Sequence, residues 1–183
     1  MEQKKDVTKR HIAESFKKLV VKDSFEKLTI KKITNEAGII RPTFYNYYRD
    51  KYDVMEYLLQ EEVLDGAIES YREGGLKEGL IYIVNRVLGE REYYQKVFLI
   101  TGQNNFEDVF KERLMAYIQG YIFQNGKKMD WPDNPALKPY TVAKFETDCF
   151  IAYLRYWVFS SEDVSPEDVA DGYIFLRREA IQK

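Results

Sequence analysis

Apolar positions recur at three- and four-residue intervals along most of the chain, and nowhere do they alternate long enough to build a strand. Ile12, Ala13, Phe16, Leu19 and Val20 share one face of a helix predicted over 7–22, with Lys9, Arg10, Lys17 and Lys18 outside. Thr8 or Asp6 is placed to cap its start. Phe25 and Leu28 bracket a short loop. A second helix over 29–37 groups Ile30, Ile33 and Ala37. Thr29 suits its N-cap, and Gly38 supplies the left-handed residue that closes a helix. After the turn Ile39-Ile40-Arg41, Pro42 fits the first position of a third helix running to about Tyr48, because its missing N–H would be unpaired there. Asp50 caps a fourth helix over 51–72.

The helical period continues over 76–88, 92–101, 106–124 and 140–160. A last helix begins at the start signal Ser165-Pro166-Glu167 and runs to about Ile181. One long segment, 126–139, is non-helical: it holds three prolines and Lys127-Lys128. The expected fold is all-α, with about nine helices.

Composition narrows the function classes. With 183 residues, 45% of them hydrophobic, the chain has ample material for a core. One cysteine, Cys149, makes no intrachain disulfide, and one histidine, His11, completes no Cys/His metal site. Zinc finger, disulfide scaffold and redox CxxC are excluded, and no metal or cofactor is expected. The N-terminus has no apolar leader, and no run approaches the ~20 apolar residues of a membrane span. A cytoplasmic protein without a membrane partner is expected. No GxSxG, Gly-rich phosphate loop, Cys/His pair or HExxH is present, and Glu61-Glu62 read as part of a charged helix face, so no catalytic residue is assigned.

The formal net charge of −2 hides an asymmetry. Residues 1–59 carry 13 Lys and Arg against 9 Asp and Glu, a net of +4, whereas the remainder carries 15 against 21 and nets −6. A basic head on an acidic body suits a protein whose head alone meets a polyanion.

Helix, glycine-containing turn, short helix is the helix-turn-helix arrangement, in which the second helix enters the major groove. At about 100° per residue, Phe44 and Tyr48 fall on one side of that helix and face the core. Pro42, Thr43 and Asn46 fall on the opposite side, with Tyr45 and Tyr47 on the flanks. Thr and Asn hydrogen-bond base edges, and flanking Tyr hydroxyls reach phosphates. Singly, each residue has a blander account: Thr43 and Asn46 as solvated positions, Tyr45 and Tyr47 as packing aromatics, Lys31, Lys32, Arg41 and Lys51 as surface charges. Basic head, turn glycine and polar face together favour the nucleic-acid reading.

The stretch Leu28-Thr29-Ile30-Lys31-Lys32-Ile33, followed by Ala37-Gly38-Ile39-Ile40-Arg41-Pro42-Thr43-Phe44-Tyr45-Asn46-Tyr47-Tyr48-Arg49-Asp50-Lys51, resembles the DNA-binding domain of TetR-family regulators. A weaker similarity, through Gly102-Gln103-Asn104-Asn105-Phe106, points to the subgroup around dihydroxyacetone-kinase operon activators. The resemblance implies a DNA-binding domain over 1–50 and an effector-binding and dimerisation domain over 51–183. It implies phosphate contacts from Thr29, Tyr45 and Lys51, and base-edge or neighbouring contacts from Arg41, Thr43, Asn46 and Tyr47, with Lys31 and Pro42 on the same surface. Three positions depart from the family. Ile40 stands where a capping or phosphate-touching Ser is usual, Pro42 replaces a small residue and Tyr47 replaces a His. The operator sequence is therefore not carried over.

In the body, the segment around Trp157 is apolar on more than one side and needs a second cover, expected from a second copy of the chain, with a single monomeric core as the alternative. The family's use of its last two helices agrees, and places Phe150, Leu154, Trp157, Val169, Tyr173 and Leu176 at a dimer interface. The aromatic-rich middle helices read either as core packing or as the lining of a small-molecule pocket. The pocket would be formed by Tyr94, Phe98, Gln103, Phe110, Tyr117, Phe150 and Tyr153. The expected function is a homodimeric, ligand-responsive regulator bound to a double-stranded DNA operator, a repressor released by a small-molecule effector. An activator of the same fold and a helical adaptor that binds only protein are the alternatives.

Overall fold

Side chains satisfy the first free N–H groups at four of the helix starts. Thr29 Oγ1 accepts from Lys32 N at 3.3 Å, and the Asp50 carboxylate accepts from Tyr52 N and Asp53 N at 2.8 and 2.9 Å. Asn105 Oδ1 accepts from Asp108 N at 2.9 Å, and Ser165 Oγ from Asp168 N at 3.0 Å. The computed structural model describes residues 2–125 and 133–178, the side chains of 6–121 and 133–177 among them.

Within those residues the fold is nine α-helices and no strand. They are α1 Glu2–Lys22, α2 Ile30–Glu36, α3 Arg41–Tyr45, a long α4, α5 Leu76–Gly89, α6 Arg91–Val97, α7 Phe106–Asn125, α8 Pro139–Phe159 and α9 Pro166–Arg178. Helix α4 runs unbroken through Lys51–Leu59, a π turn at Gln60–Leu64 and Asp65–Gly74. A single 3-10 turn, Phe25–Lys27, links α1 to α2.

Four expectations change. Helix α1 already begins at Glu2, so Asp6 and Thr8 lie inside it and do not cap it. Helix α3 starts one residue early, with Pro42 second rather than first, and ends at Tyr45. Helix α6 stops at Val97 instead of near Thr101: Leu99 N and Ile100 N return to Lys96 O and Val97 O in tighter three-residue turns, and the chain then passes through Gly102 and Asn104, with φ of +90° and +58°. Glu62, expected on a charged face, is largely buried. The Lys127-Lys128 segment and the expected end of the last helix at Ile181 lie outside the described residues.

One apolar cluster runs through the molecule, from Ile12, Phe16 and Phe44 through Val54, Leu58 and Val63 to Tyr94, Phe110, Leu154 and Tyr173. Helix α1 packs on α2, α4 and α6, the second half of α4 folds back on α5, α5 also meets α9, and α7 lies along α8. No helix among the described residues is long and apolar enough to cross a membrane.

Candidate nucleic-acid interface

Gly38, at φ +61°, turns the chain between α2 and α3, and Ile39 N returns to Thr34 O at 2.9 Å. Beneath the turn, His11 Nε2 lies 3.1 Å from Ala37 O and Tyr48 OH donates to Lys9 O at 3.0 Å, so α1 holds both ends of the motif. Phe44 is fully buried, its ring 5.8 Å from that of Tyr48 and 5.5 Å from that of Tyr45. The inward side of α3 is therefore fixed by packing, as its spacing predicts.

The outward side carries Arg41, Pro42, Tyr45 and Asn46, all exposed, with Thr43 and Tyr47 half-buried beside them. Arg41 donates from Nη2 and Nε to Tyr45 OH, at 3.1 and 3.3 Å, which aims the guanidinium along the exposed face. Thr29 and Lys31 add an exposed hydroxyl and ammonium from α2, although Thr29 Oγ1 already serves as the α2 cap. Lys51 is placed differently. Its ammonium donates to Phe25 O at 2.7 Å and Leu28 O at 3.2 Å, 4.2 Å from the Phe25 ring centre. Burial pulls its pKa down against the pull of Glu26 and Asp50. An ammonium has three N–H groups, so these two carbonyls leave one donor unused.

Where α1 meets the body, Lys17 donates to both Glu62 oxygens, at 2.7 and 2.6 Å, and pairs with Glu90 at 2.8 Å. Arg86 Nε reaches the Glu62 carbonyl inside the π turn at 3.1 Å. Burial pushes the Glu62 carboxyl up against the pull of Lys17. For Lys17 burial acts downward, but its bonds to Glu62 and Glu90 outweigh it and the pKa is raised. Sequence reasoning missed this cluster, since nothing in the spacing joins Lys17 to Glu62.

The seven expected pocket residues are not brought together. Tyr94, Phe98 and Phe110 are buried and tile against Phe106, with ring centres 4.9–5.8 Å apart. Phe150 and Tyr153 pack on Tyr173 instead, Gln103 is exposed, and Tyr117 OH accepts from Gln60 Nε2 at 2.7 Å. None of the seven lines the 240 Å³ cleft between Arg10, Tyr57, Glu61, Tyr82 and Arg86, or the 200 Å³ cleft between α7 and α8.

Of the six expected interface residues, Phe150, Leu154, Val169 and Tyr173 are covered by their own chain, Trp157 is half-buried and Leu176 is exposed. Of these six only Leu176 belongs to the apolar surface that the same two helices leave uncovered. Phe145, Cys149, Ala152, Tyr156 and Phe159 form an exposed stripe on α8 at steps of four and three, with exposed Phe175 and Leu176 on α9. That spacing is visible in the sequence, but apolar residues on the other sides of α8 mask it.

The family model described as a transcriptional regulator C-terminal region, of the TetR type, matches residues 75–174. The HTH-type dhaKLM operon transcriptional activator DhaS of Lactococcus lactis subsp. lactis is 26% identical over 129 residues, 69% of this chain and 68% of that protein. Among solved structures, the dihydroxyacetone kinase operon activator DhaS aligns with a TM-score of 0.66 at 24% identity over 93% of each chain. A TetR-family regulator from Syntrophomonas wolfei aligns with 0.71 at 16% over 92% of each. At these identities the two structural matches speak for the fold.

Proposed function

The chain belongs to the TetR family of transcriptional regulators, and on that premise we propose that it binds operator DNA as a homodimer whose affinity a small molecule resets. Residues 1–50 hold the DNA and residues 51–183 dimerise and take the effector. The observation that carries the reading is the two-sidedness of α3 and the turn after it: Phe44 and Tyr48 locked inward, Arg41, Pro42, Tyr45 and Asn46 exposed outward. Arg41, Pro42, Thr43, Asn46 and Tyr47 meet base edges and their flanking phosphates, Thr29, Lys31 and Tyr45 meet phosphates, and Lys51 offers its remaining donor after bracing Phe25 and Leu28.

A stripe of exposed aromatic residues costs solubility in a monomer, and burying each large side chain returns about 1.5–3 kcal/mol. Phe145, Tyr156, Phe159, Phe175 and Leu176 are thus the surface on which a second copy seats. Two recognition helices then enter successive major grooves when they sit about 34–36 Å apart. An effector that prefers another spacing changes operator affinity by its differential affinity, typically about 1–3 kcal/mol. Entry into the body requires the closed rings of Tyr94, Phe98, Phe106 and Phe110 to part.

The test is selection of duplex DNA from a random pool by the purified protein, followed by titration at several salt concentrations. One recovered motif with two related halves, bound more weakly as salt rises, is the expected result. Absence of any duplex binding overturns the reading. A second reading concerns direction. The family resemblance suggests repression, whereas the Lactococcus lactis relative is named an activator. Transcript levels from the selected operator, with and without the protein, separate the two.

A further inference from the structure

Ile40 is 69% exposed, the most exposed large apolar side chain among those described. It is the N-cap of α3, and its side chain makes no capping hydrogen bond. The neighbouring Ile39 packs against the core, so the fold has a use for one isoleucine of the pair and none for the other. A Ser, Thr, Asp or Asn at this position would pair a free N–H of the helix and hide no apolar surface from the chain. A position that breaks the local rule with no gain inside the molecule marks a demand from outside it. Ile40 leads directly into Arg41 and Pro42, which are exposed as it is.

Resting on the operator reading above, we infer that Ile40 is a specificity residue that packs against the C5-methyl group of a thymine in the major groove. The methyl of thymine is the apolar feature that a base pair presents in that groove. An aliphatic branched side chain beside a guanidinium suits a thymine next to a guanine, with Arg41 taking the purine acceptors. Phosphate oxygens and base hydrogen-bonding edges give an isoleucine nothing to bind.

The test uses the full chain and the duplex it selects. Each thymine of that duplex is replaced in turn by uracil, which removes only the methyl group. One thymine per half-site is expected to lose about fourfold in affinity, the factor for one buried methyl. Ile40→Ser is expected to bind thymine and uracil duplexes equally at that position while its melting temperature stays level or rises. Uracil tolerated at every position overturns the inference while leaving the operator reading intact. So does a methyl effect that persists unchanged in Ile40→Ser. Failure of the wild-type chain to bind any duplex overturns both.

Discussion

Lys17 on α1 and Glu62 in the π turn of α4 meet through both carboxylate oxygens, with side chains only 12% and 17% exposed. With Glu90 and Arg86 the pair ties α1 to two helices of the body. Removing Lys17 leaves two shielded carboxylates that share only the more exposed Arg86. Lys17→Met should cost ~2–3 kcal/mol in denaturant unfolding, below the ~3–5 kcal/mol of a fully buried pair. Lys17→Met with Glu62→Met should cost less than Lys17→Met alone. A double variant weaker than the single would mean that Glu62 is held chiefly by Arg86.

Phe44 and Asn46 stand two residues apart on opposite duties. Phe44→Ala empties a fully buried site and should destabilise by ~3–5 kcal/mol. Asn46→Ala lies in the exposed turn after α3 and should leave the melting temperature level. In operator titrations it should flatten the preference at one or two base pairs by ~1–3 kcal/mol each. Unfolding by Asn46→Ala would invert this assignment.

Lys51→Ala should show two effects, because the same ammonium braces the Phe25 and Leu28 carbonyls and has one donor to spare. The melting temperature should fall, and the salt slope of DNA binding should drop by about one unit with base preference unchanged. A variant that melts lower but keeps its salt slope would confine Lys51 to the interior of the motif.

Phe145→Glu with Tyr156→Glu places charge on exposed side chains of α8 and should leave the monomer folded. Light scattering should report half the mass of the wild-type protein. A dimer that survives both substitutions seats on another surface. Alkylation of the exposed Cys149 gives an independent check: it should be slow in the wild-type protein and fast in the double variant.

Tyrosine ionisation predicts how the fold responds to alkali. Burial holds the hydroxyls of Tyr48, Tyr93, Tyr94 and Tyr173 well above their ordinary value, and burial with Tyr121 raises Tyr71 to about 12. In the unfolded chain these groups lose their protons near pH ~10, while the folded chain keeps them. The folded state binds more protons there, so its stability is complete below pH ~10 and declines as pH rises further. Tyrosinate absorbance should appear in two stages, the second coinciding with loss of helical circular dichroism. A single stage before any loss of helix would refute the burial of these hydroxyls.

Much of α2, α3 and the start of α4 was legible because the signals are local. Thr29, Gly38 and Asp50 each act on a backbone group within three residues. The inward side of α3 followed from a single periodicity with one apolar face. Helix α8 resisted the same treatment because aromatic and aliphatic residues surround it. Which of its faces the chain covers depends on α7 and α9 rather than on α8. The link between Lys17 and Glu62 spans 45 residues, and the π turn that presents Glu62 has no compositional mark.

The π turn also sets how length changes in α4 are tolerated. Its i→i+5 bonding holds one residue more than the helix on either side would. A deletion between Lys51 and Leu59 rotates every following side chain by about 100° relative to α1–α3 and turns Leu64 and Ala67 out of the core. A deletion between Gln60 and Leu64 lets the segment close as ordinary α-helix, keeping both flanking faces in phase. In this chain, a residue removed from that stretch should leave the recognition helix pointing the same way relative to the body.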